Sequence, residues 1–389
     1  MSHRADLDFI QELKEYGAVN VEACFNCGNC TAICPLTDDR HPFPRNVIRL
    51  VQVGLQDRLL KNTDPWLCYY CGECSDTCPR QAEPAETMMA LRRWLTAKYD
   101  RSGHGAKLYT SERAVWTSIA KFALIPLLLL VGYHAFHILT GSNLINTDHV
   151  VLNTFAPVLW VWAVVLIDFA LLGSRLFGNI LNMFKLVMSG EDGERPPIPL
   201  TIYLQEARTF LTHLLTQKRW HDCGEKRSRW LKHLLLISGY AIMLVLIVPL
   251  LWWFQTDSIY PIYHPQRWLG YYATLVLLIF SGEALVGRIR KQEQIHRFTH
   301  ASDWLFPAFL FIGALTGILV HAFRYADWAW PTYITYMIHV MAMIAMLDTE
   351  VGIGKWTHLF YRPLAMYFDA VKRRAAERPT PELAPAGAD

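Results

Sequence analysis

The chain has 389 residues, a net charge of +3 and 52% apolar residues. A balance this close to neutral, without a basic stripe interleaved with aromatics, excludes a nucleic-acid binder. The length points to two or three domains, and the composition splits accordingly. Residues 1–112 are polar and hold eight of the nine cysteines, whereas the rest carries long apolar runs rich in Trp, Tyr and Phe. Met1 to Gly17 is charged and has neither an apolar signal region nor twin arginines, so no secretory signal is expected.

In chain order, residues 6–17 read as a short amphipathic helix ending near Gly17. Next comes Cys24-Phe-Asn-Cys27-Gly-Asn-Cys30-Thr-Ala-Ile-Cys34-Pro35. Residues 43–61 carry Val47, Ile48, Leu50, Val51, Leu55, Leu59 and Leu60 at the spacing of a buried helical stripe. The same cysteine rhythm returns as Cys68-Tyr-Tyr-Cys71-Gly-Glu-Cys74-Ser-Asp-Thr-Cys78-Pro79. A helix over Glu86 to Tyr99 and a linker over Asp100 to Lys107, with Gly103 and Gly105, complete a domain spanning 1–107. No strand alternation occurs in it, so an α-helical ferredoxin domain is expected.

Each cysteine run is C-x2-C-x2-C-x3-C-P, the spacing that wraps thiolates around a cubane [4Fe–4S] cluster. In two-cluster ferredoxins the fourth cysteine ligates the other cluster. With that crossover, Cys24, Cys27, Cys30 and Cys78 hold one cluster, and Cys68, Cys71, Cys74 and Cys34 the other. Zinc sites use paired C-x2-C units, not runs of four, and twin metal-type runs argue against disulfides. Cys223 stands apart and reads as an ordinary interfacial cysteine.

Six apolar stretches follow, near 115–140, 150–173, 231–254, 269–288, 303–324 and 332–351, each close to the ~20 residues needed to cross a bilayer. They make residues 108–370 a polytopic transmembrane helix bundle. The segment between the second and third carries Arg175, Lys185, Arg195, Arg208, Lys218, Arg219, Lys226, Arg227 and Arg229, and the loop after the fourth carries Arg288, Arg290, Lys291 and Arg297. The opposite loops hold only Arg267 and Arg324. The positive-inside bias therefore puts the cysteine domain and both termini on the cytoplasmic side of the inner membrane. The 174–230 insertion contains an amphipathic stretch at 200–215 suited to lying on the membrane surface or docking the head. Gly190 to Pro199 is a break, and 371–389 reads as a disordered tail.

Ionisable side chains inside a membrane are functional candidates. At ~1.5 Å per residue, His233 and His358 lie at one depth near the cytoplasmic face, while His339 shares the outer half with His134 and His321. A b-type haem in a helical bundle needs two neutral imidazoles at matched depth, which gives an inner pair and an outer pair. At ~100° per residue, His339 and His358 point about 100° apart on an ideal helix, so a distortion near Gly352 and Gly354 is expected. Asp168, Glu283 and Asp348 are intramembrane acids suited to proton delivery or to salt bridges with nearby arginines. Gly313 and Gly317 form a G-x-x-x-G that reads as helix packing.

With both halves read, the chain resembles the C-type family of quinone-interacting membrane-bound oxidoreductase components, a heterodisulfide-reductase C-like head fused to a heterodisulfide-reductase E-like membrane part. The head resemblance rests on Cys24 to Pro35 and Asp64 to Arg80. The membrane resemblance, to the nitrate reductase gamma-subunit type, rests on Arg229-Trp-Leu-Lys-His233, Leu315 to His321, Ile338-His339 and Lys355 to Arg362. It implies haem ligation by His233, His339 and His358. It departs at the fourth ligand, where the pattern's histidine is Met243, so one or two haems are open. It further implies electron exchange between menaquinone and cytoplasmic flavin and iron–sulfur subunits of A and B type, connected to adenylylsulfate reductase in sulfur metabolism. An outer quinone site would draw on His321, Arg324, Tyr325 and Asp327; Glu283 and Asp348 allow an inner one. Two other readings keep the same architecture: the membrane subunit of a heterodisulfide-reductase-type or electron-transfer-flavoprotein:quinone oxidoreductase, and a redox-inactive anchor or sensor with structural clusters.

Overall fold

In the computed structural model, residues 5–190, 194, 196–221, 223 and 227–377 are described. The head opens with α1 (Phe9–Glu15), α2 (Asn29–Ala32), α3 (Arg45–Gln52), α4 (Gln56–Leu60), α5 (Asp64–Leu67) and α6 (Glu73–Asp76). It closes with α7 (Pro84–Tyr99) and α8 (His104–Thr110). No strand occurs among the described residues. The stripe expected over 43–61 forms two helices, because the chain turns at Gly54, whose φ of +68° suits glycine. The expected linker is also structured: Asp100 accepts the N–H of Ser102 and Gly105, and α8 starts within it.

The bundle follows as α9 (Glu112–Leu139), α10 (Leu152–Phe155), α11 (Val158–Val187), α12 (Leu200–Thr216), α13 (Lys218–His221) and α14 (Arg227–Ile247). Then come α15 (Leu251–Phe254), α16 (Pro265–Ile289), α17 (Ser302–Tyr325), α18 (Ala329–Glu350) and α19 (His358–Ala376). Six of these, α9, α11, α14, α16, α17 and α18, are long and apolar enough to span a membrane. Their outward faces leave Leu128, Trp160 and Ile167 more than 60% exposed, as a lipid-facing surface requires. Four boundaries shift. Residues 150–157 stay outside the second span, with Phe155 stacked on Tyr333, and α11 continues to Val187 to pack its last turns on the head. Pro249, which has no N–H to give, follows the end of α14. α19 runs to Ala376, past the expected start of the tail; residues 378–389 lie outside the described residues, as do 191–193 and 195 of the expected break.

Head and bundle share one core. Every residue of α7 except Lys98 is buried. Trp66 of α5 meets Tyr361 of α19 edge-on at 5.3 Å, and Tyr361 meets Tyr99 at 5.6 Å. Asn182 of α11 donates to the Tyr99 carbonyl. A buried ion group adds direction: Asp303, 1% exposed at the start of α17, accepts from Arg93 of α7 at 2.7 Å and from Lys355 at 2.8 Å.

A second clamp joins α5 to α19. His41 Nδ1 lies 2.5 Å from Asp64 and its Nε2 lies 3.1 Å from Asp369. Burial opposes its charge, but hydrogen bonds to Asp369 and Asp64 hold the imidazole up, from 6.5 to about 10. A pKa raised on folding stabilises fully below about 6.5, progressively less above it, and not at all beyond about 10. His41→Ala is therefore expected to lower the apparent melting temperature at pH 6, through a loss of about 3 kcal/mol. The gap to the wild-type protein should narrow steadily as the pH approaches 10.

Candidate functional site

The twin cysteine runs fold as twin loops. Asn26 and Tyr70 adopt left-handed φ values of 60° and 55°, and the following Gly28 and Gly72 adopt 89° and 91°. These turns curl each run so that the Asn26 N–H points at Cys24 Sγ (3.4 Å) and the Tyr70 N–H at Cys68 Sγ (3.3 Å). α2 and α6 then carry Cys30 and Cys74 inward.

The fourth cysteines cross over. Cys34 lines one small cavity together with Cys68, Cys71 and Cys74. Burial, then the nearby Cys24, Cys27 and Cys78 thiols, push Cys30 up to about 11; burial, then Cys68 and Cys71, do the same to Cys34. Thiols this crowded are held best as thiolates on a cationic group, which displaces their protons. Among the described residues no three His, Cys, Asp or Glu side chains converge on a point suited to a single metal ion. Four cysteine sulfurs around one small cavity fit a cluster. Cys223 is not the isolated cysteine that the sequence suggested: it hydrogen-bonds Cys71 and lines the same cavity. Only the fold of 174–230 back over the head brings it there, and no local signal announces it.

The two loops differ in surroundings. Cys27 is exposed, and its neighbour Phe25 is 60% exposed. The second loop is covered by the bundle: Tyr69 stacks on Trp220 at 5.3 Å, and Tyr70 donates to the Ile295 carbonyl. Arg229 donates to the Cys71 carbonyl. Arg362 lies 4.3 Å over the Tyr69 ring and donates to the Cys68 carbonyl at 3.1 Å.

One turn before Arg362 stands His358, and across from it His233, with ring centroids 5.9 Å apart. The distortion expected near Gly352 is a full break. α18 stops at Glu350, Gly352 turns with a φ of +85°, and α19 begins at His358 itself. A Cβ on Gly354 would lie 2.7 Å from the Glu350 Cα, so only glycine allows this return. The Nδ1 of His358 donates to the Lys355 carbonyl and that of His233 to Gln217 Oε1, so both Nε2 lone pairs are left for a ligand. Burial, then Arg362 and His233, hold the His358 imidazole well below its usual range and therefore neutral. Beside the pair lies a cavity of about 150 Å³ lined by Arg92 and Arg362 and by the Arg93–Asp303–Lys355 group, so two arginines stand there without a carboxylate partner. The donor set and its surroundings fit a bis-histidine haem.

At the far end of the bundle a cavity of about 270 Å³ is lined by His339, His321, Met243, Gln266, Arg267 and Arg324. His339 Nδ1 bonds Thr316 Oγ1 at 2.9 Å, and His321 Nε2 bonds Tyr271 Oη at 2.8 Å, each leaving one nitrogen unused. Gly313 and Gly317 face α18, where they make room for Met343 and His339, as the G-x-x-x-G reading anticipates. Arg324 spans to the Ser258 carbonyl and Tyr325 to that of Tyr260, which ties the cavity rim to the loop before α16.

Four candidates fall elsewhere. His134 donates its Nε2–H to the Phe155 carbonyl, packs against the Phe155 ring and does not line the cavity. Asp327 pairs with His149 at the surface and caps Val150. Glu283 is half exposed and paired with Lys232. Asp348 faces Asp168 beside Arg175, away from the cavity. Equal depth fixed their height in the bundle but not the direction they face.

Residues 20–82 match the family model of a 4Fe-4S dicluster domain. The chain is 38% identical over 88 residues to a C-type heterodisulfide reductase-like protein of Archaeoglobus profundus, covering 22% of this chain and 47% of that one. It is 33% identical over 110 residues to the iron-sulfur C component of the CoB–CoM heterodisulfide reductase of Methanopyrus kandleri, covering 26% and 55%. A third relative, the C component of the H(2):CoB-CoM heterodisulfide,ferredoxin reductase of Methanothermobacter marburgensis, is 34% identical over 88 residues, covering 22% and 47%. The chain spans about half the length of these curated relatives. No solved structure matches. The class is thereby defined: a helical dicluster head, similar to heterodisulfide reductase C-type iron–sulfur proteins, with six helices of membrane-spanning length among the described residues.

Proposed function

We propose that the chain is the membrane electron-transfer subunit of a heterodisulfide-reductase-type complex. It would relay electrons between soluble partner subunits at the exposed first loop and a carrier in the membrane. Cys24, Cys27, Cys30 and Cys78 would hold one cluster, and Cys68, Cys71, Cys74 and Cys34 the second. The observation that carries this reading is the closeness of the two sites: Arg362 donates to the Cys68 carbonyl one helical turn after His358, whose ring faces that of His233. Such closeness suits electron transfer and is superfluous for an anchor with structural clusters. A haem held there would supply a one-electron carrier between the cysteine loops and the bundle. This chain's part is to keep both Nε2 lone pairs free, exclude water and balance carboxylates with Arg92 and Arg362.

The far cavity favours menaquinone as the membrane carrier, either beside a second haem on His339 with His321 or Met243, or directly. Its apolar walls admit an isoprenoid, and His321, Arg267 and Arg324 supply polar groups at one end. The similarity to heterodisulfide reductase proteins favours partners of that type over adenylylsulfate reductase or an electron-transfer flavoprotein. The arginines of the insertion sit against the head, Arg219 on the Leu36 carbonyl and Arg229 on that of Cys71, so the positive side is the head side. That bias supports a cytoplasmic head.

The test is addition of a reduced menaquinone analogue to the purified chain in detergent. Reduction of a b-type band and bleaching of the cluster absorption are expected, slowed at least tenfold in His321→Ala. A chain whose chromophores ignore the quinol contradicts a quinone-linked membrane end.

A further inference from the structure

Reducing a cubane adds one electron and so one negative charge, and buried positive charge nearby favours that state. The surroundings of the two cysteine loops are unequal in this respect. Around Cys68, the buried Arg92 and the enclosed Arg362 both donate to a single carbonyl, that of Cys68 itself. Arg229 also donates to the Cys71 carbonyl, but its charge is paired with Glu293 and adds little to the field. The cations beside the first loop are Arg80, 5.8 Å from the Phe25 ring, and Arg45 against Gly28, both exposed. Water and salt screen exposed charges, whereas buried ones keep their field.

We propose that Arg92 and Arg362 give the second cluster site a higher reduction potential than the first, so that the electron waits on the side of His358. The step is a one-electron transfer between the two sites, with no bond made and no proton required. Both arginines are positioning residues: they touch the protein around the cluster and act through its carbonyl. The order of potentials makes the exposed loop the low-potential contact for a soluble partner. It makes the covered loop the reservoir that the membrane site fills or drains. The inference rests on the two-cluster reading.

Two measurements test it on the full chain in detergent. In an EPR-monitored redox titration of the unmodified protein, two cluster signals are expected. The one that appears first on reduction should be the one whose relaxation a soluble dysprosium chelate leaves unchanged, since that site is covered. The reverse order overturns the inference. In Arg362→Gln, the higher midpoint should fall by about tenfold in equilibrium constant, or about 59 mV for one electron. The lower midpoint should stay put, and Arg362→Lys should restore most of the difference. Two intact signals with unmoved midpoints in Arg362→Gln overturn the role of the charge. A wild-type chain with about four non-haem irons instead of eight overturns the two-cluster reading itself.

Discussion

Replacing Asp303 by alanine should loosen the head from the helix bundle by about 3–5 kcal/mol, the cost of stranding a buried charge. Asp303 is the acid held between Arg93 of α7 and Lys355 of the α18–α19 turn, at 2.7 and 2.8 Å. Its removal leaves two cations facing each other in a place that water reaches poorly. The readouts are the apparent melting temperature and limited proteolysis near Asp100 to Gly103, the turn between α7 and α8. Cleavage there should accelerate in Asp303→Ala. Arg93→Ala should do less, because Lys355 still satisfies the carboxylate. Equal protection in Asp303→Ala and wild type would mean that the shared aromatic core around Trp66, Tyr99 and Tyr361 holds the head unaided.

Loss of His358 should have the second large effect. His358→Ala and His233→Ala are each expected to remove the same b-type absorption, and the double variant should remove no more than either. A bis-histidine site fails when either ligand goes. Gln217→Ala should weaken that site about 10–100-fold, since it only orients His233. His339→Ala should leave this band intact and abolish a second one if the far cavity carries haem. Additive losses in His233→Ala and His358→Ala would mean that the two rings serve different groups.

The cysteine rhythm was legible because four cysteines within eleven positions are a local pattern, and local backbone turns at Asn26, Gly28, Tyr70 and Gly72 deliver it. The spans were legible from composition alone, to within the overrun of α11 and the shortening of α14. His233 and His358 were matched by depth, although the helical rise used for His358 fails beyond Glu350, where the helix ends. The mismatch in angle signalled that failure correctly. What sequence could not give was azimuth and long-range return. His134, Glu283, Asp327 and Asp348 sit at plausible depths but face Phe155, Lys232, His149 and Asp168. The His41 clamp joins residues more than three hundred positions apart, and Cys223 meets Cys71 only because the insertion folds back. Arg92 and Arg362 look like ordinary helical arginines until α7 and α19 converge on one carbonyl.

The central claim is that the twin cysteine loops feed a histidine-held group in the same chain. Haem and non-haem iron, measured per chain on the purified protein and on His358→Ala, test it most directly. The account predicts about eight non-haem irons in both proteins, at least one haem b in the wild type, and one fewer in the variant. Eight irons with no haem, or a haem content that His358→Ala leaves untouched, would contradict it.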